Sequence, residues 1–155
     1  MASTTSTLPG GERTDRINPV WRPLASTTGN PAYSGVIQRD ALAAADVRRG
    51  LGLILATWSL EGLQEPAGLV ATELVTNASE HARGEVIRVT VTRTARYRVR
   101  VQVTDRSQEQ PKVLPLDPLA EHGRGLYLVA CTAVRWGVRP YRWGKSVWAE
   151  LEVAL

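Results

Sequence analysis

Apolar residues recur at helical spacing in three stretches of the chain. The first starts at Asp40, a residue type suited to capping a helix, and runs to about Leu60. Its apolar positions fall on one face: Val47, Leu51, Ile54, Leu55 and Trp58. The second runs from Leu69 to Ala82, and Pro66 suits its first turn. Its predicted buried positions are Ala71, Leu74, Val75 and Ala78. The third follows Gly125, with predicted buried positions at Leu126, Val129, Ala130 and Ala133. The pattern predicts three amphipathic helices.

Alternation of apolar and polar residues predicts four strands. Two of them, over 87–92 and 97–104, are close enough to form a hairpin that places Arg98 and Arg100 on its open face. The other two cover 134–138 and 147–153. Because helices and antiparallel strands come in separate runs, we expect an α+β fold, a two-layer sandwich with the helices on one face of a mixed, mostly antiparallel sheet.

The first 32 residues differ from the rest in composition. Ser, Thr, Gly, Pro and Asn make up more than half of them. Such a segment buries too little apolar surface to offset its ordering entropy, so residues 1–32 are expected to form a disordered tail and residues 33–155 a single domain. A short strand near Trp21 or Val36 is the alternative at this end of the chain.

Charge and cysteine content narrow the class of protein. The formal net charge is +4 over 155 residues, and it comes mostly from Arg because Lys occurs only at Lys112 and Lys145. This basicity favours an acidic partner: a nucleic acid, a nucleotide or an acidic protein. Cys131 is alone, which favours a reducing cytoplasm, and no apolar run approaches the ~20 residues of a membrane span. A cytoplasmic protein without a membrane partner is expected.

Three features carry candidate chemistry. Glu73, Asn77 and His81 recur at i, i+4 and i+8 along the edge of the second helix, where a solvated helix edge is the alternative interpretation. Asp105 ends a strand, a common place for a ligand-facing carboxylate. A loop of about sixteen residues then leads into the third helix through Gly123-Arg124-Gly125-Leu126. Glycines ahead of a helix allow backbone N–H groups and the helix dipole to bind an anion, typically phosphate.

A fourth candidate feature is the tripeptide Gly144-Lys145-Ser146, which resembles the end of a phosphate-binding P-loop. Arg139 stands where the first glycine of that motif should be, and the residues that follow alternate as in a strand. The P-loop interpretation is therefore excluded.

The order of these motifs resembles the superfamily that unites sensor histidine kinases, gyrase-type ATPases and the large heat-shock chaperone (GHKL), and within it the small bacterial anti-sigma-factor serine/threonine kinases. The resemblance covers roughly three quarters of the chain. The residues that carry it are Glu73-Leu74-Val75-Thr76-Asn77-Ala78 with His81, Asp105, Gly123-Arg124-Gly125-Leu126, and Gly144-Lys145-Ser146-Val147-Trp148-Ala149.

This resemblance implies a Bergerat-type fold with ATP and Mg²⁺ bound between the helices and the loop. Asn77 would hold the Mg²⁺, and Glu73 would be the catalytic general base. Asp105 would accept a hydrogen bond from the adenine amino group, with Ser146 nearby. The segment Gly123-Arg124-Gly125-Leu126 would bind the phosphates. His81 would have a structural role.

The resemblance also implies protein partners: a sigma factor, and an antagonist that the chain would phosphorylate on Ser or Thr. A homodimer is compatible with it. The family's usual D-x-G-x-G pattern is here Asp105-Arg106-Ser107-Gln108-Glu109, without its glycines. That departure motivates an alternative, a catalytically inactive ATP-binding regulator that sequesters a partner. A third hypothesis, nucleic-acid binding through Arg88, Arg98 and Arg100, rests on charge alone, and we do not expect it.

Overall fold

In the computed structural model, the residues described are 16, 18–25, 28–81, 84–107 and 125–154, without the side chain of His81. The described helices are α1 (Ala43–Thr57), α2 (Gln64–His81) and α3 (Gly125–Thr132). The described strands are β1 (Trp21–Pro23), β2 (Ala32–Gln38), β3 (Val86–Ala95), β4 (Arg98–Asp105), β5 (Arg135–Pro140) and β6 (Lys145–Glu152). The strands form one sheet in the order β1-β2-β3-β4-β6-β5, and every pairing in this part of the chain is antiparallel.

The helices lie on one face of this sheet and confirm the predicted α+β sandwich. All of the positions predicted to be buried in α1 and α2 are buried. They pack on the alternate residues of the two central strands that face them: Ile87, Val89, Val91, Val99, Val101 and Val103. In α3, Leu126 and Val129 are buried as predicted. Ala130 is exposed, so that prediction was wrong.

The ends of the helices differ from the prediction. Asp40 is not the N-cap residue of α1 as predicted, because Leu42 occupies that position; Asp40 Oδ1 instead accepts a hydrogen bond from the Leu42 backbone N–H at 2.8 Å. Helix α2 starts five residues before Leu69, because a 3-10 turn over Glu61–Leu63 leads directly into it. Pro66 lies in the first turn, where a missing backbone N–H costs no intrahelical hydrogen bond.

Part of the segment expected to be a tail belongs to the sheet. β1 pairs with β2, and the Trp21 indole packs between Gly35 and Gly50. Arg16 forms ion pairs with Asp40 at 2.8 Å and with Asp46 at 2.5 Å, next to the start of α1. These contacts attach the segment before β2 to the helical layer as well as to the sheet.

No helix in the described ranges is long and apolar enough to cross a membrane.

Candidate functional site

The edge of α2 carries the first two candidate residues. Helix α2 packs against β4 and β6, and Glu73 and Asn77 stand one helical turn apart at the border of its buried face, each half-buried. Among the described residues, neither side chain has a hydrogen-bond partner. Burial raises the pKa of the Glu73 carboxyl above its ordinary value of 4.5, and the negative charge of Glu80 raises it further. Glu73 is therefore a carboxylate suited to accepting a proton.

The start of α3 lies directly against Glu73. A Cβ atom placed at Gly125 would stand 2.7 Å from Glu73 Oε2, so only a glycine lets the helix start approach the carboxylate this closely. Leu126, the next residue, is 3% exposed and belongs to the hydrophobic core, where it anchors this turn. Gly123 and Arg124 lie outside the described residues. The first backbone N–H groups of a helix have no intrahelical partner, so this turn adds donors beside Glu73.

Asp105 ends β4 on the face that the helices cover and is 2% exposed. Its two carboxylate oxygens have different environments. Oδ1 accepts hydrogen bonds from the Ser107 backbone N–H at 2.7 Å and from Lys145 Nζ at 3.1 Å. Oδ2 is buried and has no partner within the described part of the chain. A buried carboxylate oxygen without a donor is costly, so Oδ2 is an unused acceptor of the kind that a ligand N–H satisfies.

Lys145 lies beside Asp105 and was not among the candidate residues predicted from the sequence. It pairs with Asp105 across β4 and β6 and is only 1% exposed. A Cβ atom at the preceding residue, Gly144, would collide with the Asp105 carbonyl oxygen, so a glycine lets the chain enter β6 against the end of β4. The alternation that buries Val147 extends back to Lys145, and this was the available signal.

Ser146 is not brought together with these residues. It points to the opposite face of the sheet, where its Oγ contacts Thr104 Oγ1 at 2.7 Å and Tyr141 Oη at 3.2 Å. The implied position of Ser146 near adenine therefore has no support in the geometry. Adjacent residues of a strand point to opposite faces, and in this strand Lys145 has the inward position.

Two of the three arginines considered for nucleic-acid binding, Arg98 and Arg100, have acidic partners, and Arg88 contacts the Ser34 hydroxyl at 3.4 Å. Glu150 is 0% exposed and accepts hydrogen bonds from Arg100 at 2.7 Å and from Arg135 at 2.7 Å. Arg98 pairs with Glu152 at 3.2 Å. Since these carboxylates neutralise much of the predicted basic stripe, the open face gives no support to nucleic-acid binding.

Comparison with protein families gives a match over most of the chain. Residues 38–151 match the family described as the histidine kinase-like ATPase domain, a range that contains every candidate site residue. Comparison with curated proteins finds no match.

Proposed function

Since the chain belongs to the histidine kinase-like ATPase domain family, we propose that it is a protein serine/threonine kinase of the anti-sigma type. In this role it binds a sigma factor, and it phosphorylates an antagonist protein on Ser or Thr to control release of that factor. Membership of the family supports ATP binding, which is the more general part of this function. The kinase activity, the two protein partners and a cytoplasmic location are parts of the proposal.

The side chains between the layers fit a nucleotide with a hard cation. Asp105 Oδ2, which has no hydrogen-bond partner among the described residues, suits the amino group of adenine, which donates N–H. The carboxamide of Asn77 offers an oxygen of the type that Mg²⁺ prefers, and the start of α3 at Gly125 offers backbone donors for phosphate. Gly123 and Arg124 would extend this phosphate site. When bound, Mg²⁺ would supply positive charge that offsets the negative charge of the phosphates.

The observation that carries the kinase proposal is the environment of Glu73. Its carboxylate is half-buried, has a raised pKa, and lies against the first residue of α3, one helical turn from Asn77. A general base works best when its pKa is closer to the working pH than that of an exposed carboxylate. Glu73 would take the proton of a partner's Ser or Thr hydroxyl as the hydroxyl oxygen bonds to the γ-phosphorus of ATP, and ADP would leave as the bond from that phosphorus to the β,γ-bridging oxygen breaks.

Ser107 supports a second candidate function, a regulator that binds ATP and sequesters its partner without phosphotransfer. Ser107 stands where the family pattern has a glycine; it is buried, and its backbone N–H already bonds Asp105. A side chain in that place restricts how closely the backbone approaches a purine. This candidate predicts nucleotide binding and no labelled partner.

The first experiment is thermal unfolding with and without Mg·ATP. Nucleotide at a hundred times its dissociation constant should stabilise the fold by about 2.7 kcal/mol, a shift of about 5–10 °C for a domain of this size. Asn77→Ala should lose most of this shift. Thr76→Ala, an exposed neighbour on the same helix, should keep it. If the wild-type chain shows no shift, both candidate functions are wrong.

The second experiment separates the two candidates. The purified chain is mixed with anti-sigma antagonist proteins of its own organism and ATP labelled at the γ-phosphate. Label on Ser or Thr of an antagonist, lost with Glu73→Gln, supports the kinase. Nucleotide binding without label on any antagonist supports the sequestering regulator. Label that persists with Glu73→Gln would show that Glu73 is not the base.

A further inference from the structure

We propose that Lys145 is a positioning residue for nucleotide recognition: it holds the Asp105 carboxylate so that Oδ2 is presented to the 6-amino group of a purine. This inference rests on the proposed function, because it takes ATP to bind between the helical layer and the sheet. It adds a role for Lys145, and a source of base selectivity, that the family resemblance does not assign.

The burial of Lys145 is the first observation. Its side chain is 1% exposed and is the largest fully buried side chain among the described residues. A lysine ammonium is stable in such a place only when it is paired and hydrogen-bonded. Its described partners are Asp105 Oδ1 at 3.1 Å and the Ser107 carbonyl oxygen at 3.4 Å. Lys145 thereby connects the strand end to the first residues of the loop that follows.

The unequal use of the two Asp105 oxygens is the second observation. Lys145 Nζ and the Ser107 N–H both donate to Oδ1, and Oδ2 is left buried without a described partner. Two donors on one oxygen fix the rotation of the carboxylate, and the lysine charge compensates the buried negative charge. The remaining oxygen accepts hydrogen bonds only, so it favours an amino group and disfavours the carbonyl that guanine and hypoxanthine carry at the same position.

The test is a comparison of two ligands, Mg·ATP and the magnesium complex of purine riboside triphosphate, which lacks the 6-amino group. Isothermal titration calorimetry gives both affinities for the wild-type chain, Lys145→Met and Thr104→Val. Wild type should bind ATP at least about tenfold more tightly than the analogue, the effect of a hydrogen bond to a charged acceptor. Lys145→Met should lose about tenfold in ATP affinity and less than about threefold in analogue affinity.

Thr104→Val is the matched control, because Thr104 precedes Asp105 and points to the other sheet face. It should leave the ratio of the two affinities unchanged. A Lys145 that only stabilises the fold would weaken both ligands equally when replaced, and that result would overturn the inference. Lys145→Arg, which keeps a cation beside Asp105, should restore most of the preference for ATP.

Failure of the inference and failure of the proposed function are distinguishable. A wild-type chain that binds neither ligand overturns the proposed function. A wild-type chain that binds both, with the same ratio in Lys145→Met, overturns only the role of Lys145. Circular dichroism shows whether Lys145→Met folds; if it does not, Lys145→Gln takes its place. That variant removes the charge and keeps an N–H donor, so its ratio should fall, and an unchanged ratio would again overturn the inference.

Discussion

The carboxylate of Glu73 and the backbone of Gly125 are in direct contact. A Cβ atom at position 125 would stand 2.7 Å from Glu73 Oε2 and 3.7 Å from Glu73 Cδ. The proposed base on α2 and the proposed phosphate-binding turn of α3 therefore constrain each other. A side chain at position 125 must displace the end of the Glu73 side chain, which is flexible, rather than the backbone of either helix.

This contact predicts that Gly125→Ala separates activity from stability. Alanine has the higher helix propensity, so the melting temperature should stay the same or rise. Phosphotransfer should fall by about tenfold or more, because the carboxylate loses its position. Gly62→Ala is the control, since a Cβ atom there meets no atom of the described residues within 4 Å. A Gly125→Ala protein with the wild-type rate would show that this contact is irrelevant to catalysis.

The raised pKa of Glu73 predicts that Glu73→Gln stabilises the protein at neutral pH. The folded protein binds this proton more tightly than the unfolded chain does, so the ionised carboxylate destabilises the fold as pH rises from about 4.5 through the folded pKa. Removing the charge should raise the melting temperature at pH 7, and the gain should vanish below about pH 4.5. Thermal unfolding of both proteins across this range is the measurement. A variant that is less stable at pH 7 would contradict it.

The contribution of Glu150 to stability should have the opposite pH dependence. Hydrogen bonds from Arg135 and Arg100 hold the pKa of its carboxyl below the ordinary value of 4.5 despite its burial. The stability it contributes is present above about pH 4.5 and is lost as pH falls through the folded pKa. Glu150→Gln should therefore destabilise the protein at pH 7, by about 1–3 kcal/mol because the arginine partners are partly exposed to solvent.

The control for Glu150 is Glu152→Gln on the same strand. Glu152 is 44% exposed and, among the described residues, pairs only with Arg98, so the change should stay within about 0.5 kcal/mol. Urea unfolding at neutral and acidic pH gives both values. Equal losses for the two variants would show that the burial of Glu150 has no energetic consequence.

Periodicity predicted the buried faces of the helices well and the identity of single strand positions less well. The apolar face of α1 follows from residue spacing alone, because burial requires it. Ala130 fails because α3 has only eight residues and buries a narrow face around Leu126 and Val129. A small residue at helical spacing is compatible with either environment.

Lys145 and Ser146 show which part of the candidate site could not be predicted from the sequence. The resemblance to the family pointed to Ser146 and assigned no role to Lys145, whereas the Lys145 side chain lies on the same sheet face as Asp105 and the Ser146 side chain lies on the other. Side chains alternate between the two faces of the sheet along β6, so Lys145 faces inward with Val147 and Ser146 faces outward. Only the register with Asp105 reveals that the buried charge has a partner. Glu73, Asn77 and Asp105 stood out because their polar groups border apolar patterns.

Trp21 gives a last prediction, on why α1 contains Gly50. Glycine inside a helix costs about 1 kcal/mol relative to alanine, so replacing it usually stabilises. At Gly50 the indole of Trp21 occupies the space of a Cβ atom, with its Cζ2 only 2.7 Å from that position. Gly50→Ala should therefore destabilise the protein by about 1–3 kcal/mol, the cost of overpacking.

Gly52 provides the comparison two residues along the same helix. The nearest described atom to a Cβ there is Gln64 Nε2 at 3.5 Å, an ordinary contact, so Gly52→Ala should stabilise by about 0.5–1 kcal/mol. In a Trp21→Ala background, Gly50→Ala should change sign and stabilise as well, because the obstacle is gone. Urea titration gives the free energies of unfolding of Gly50→Ala, Gly52→Ala, Trp21→Ala and the double variant of Trp21 and Gly50. If Gly50→Ala destabilises equally with and without the indole, the glycine serves some purpose other than accommodating Trp21.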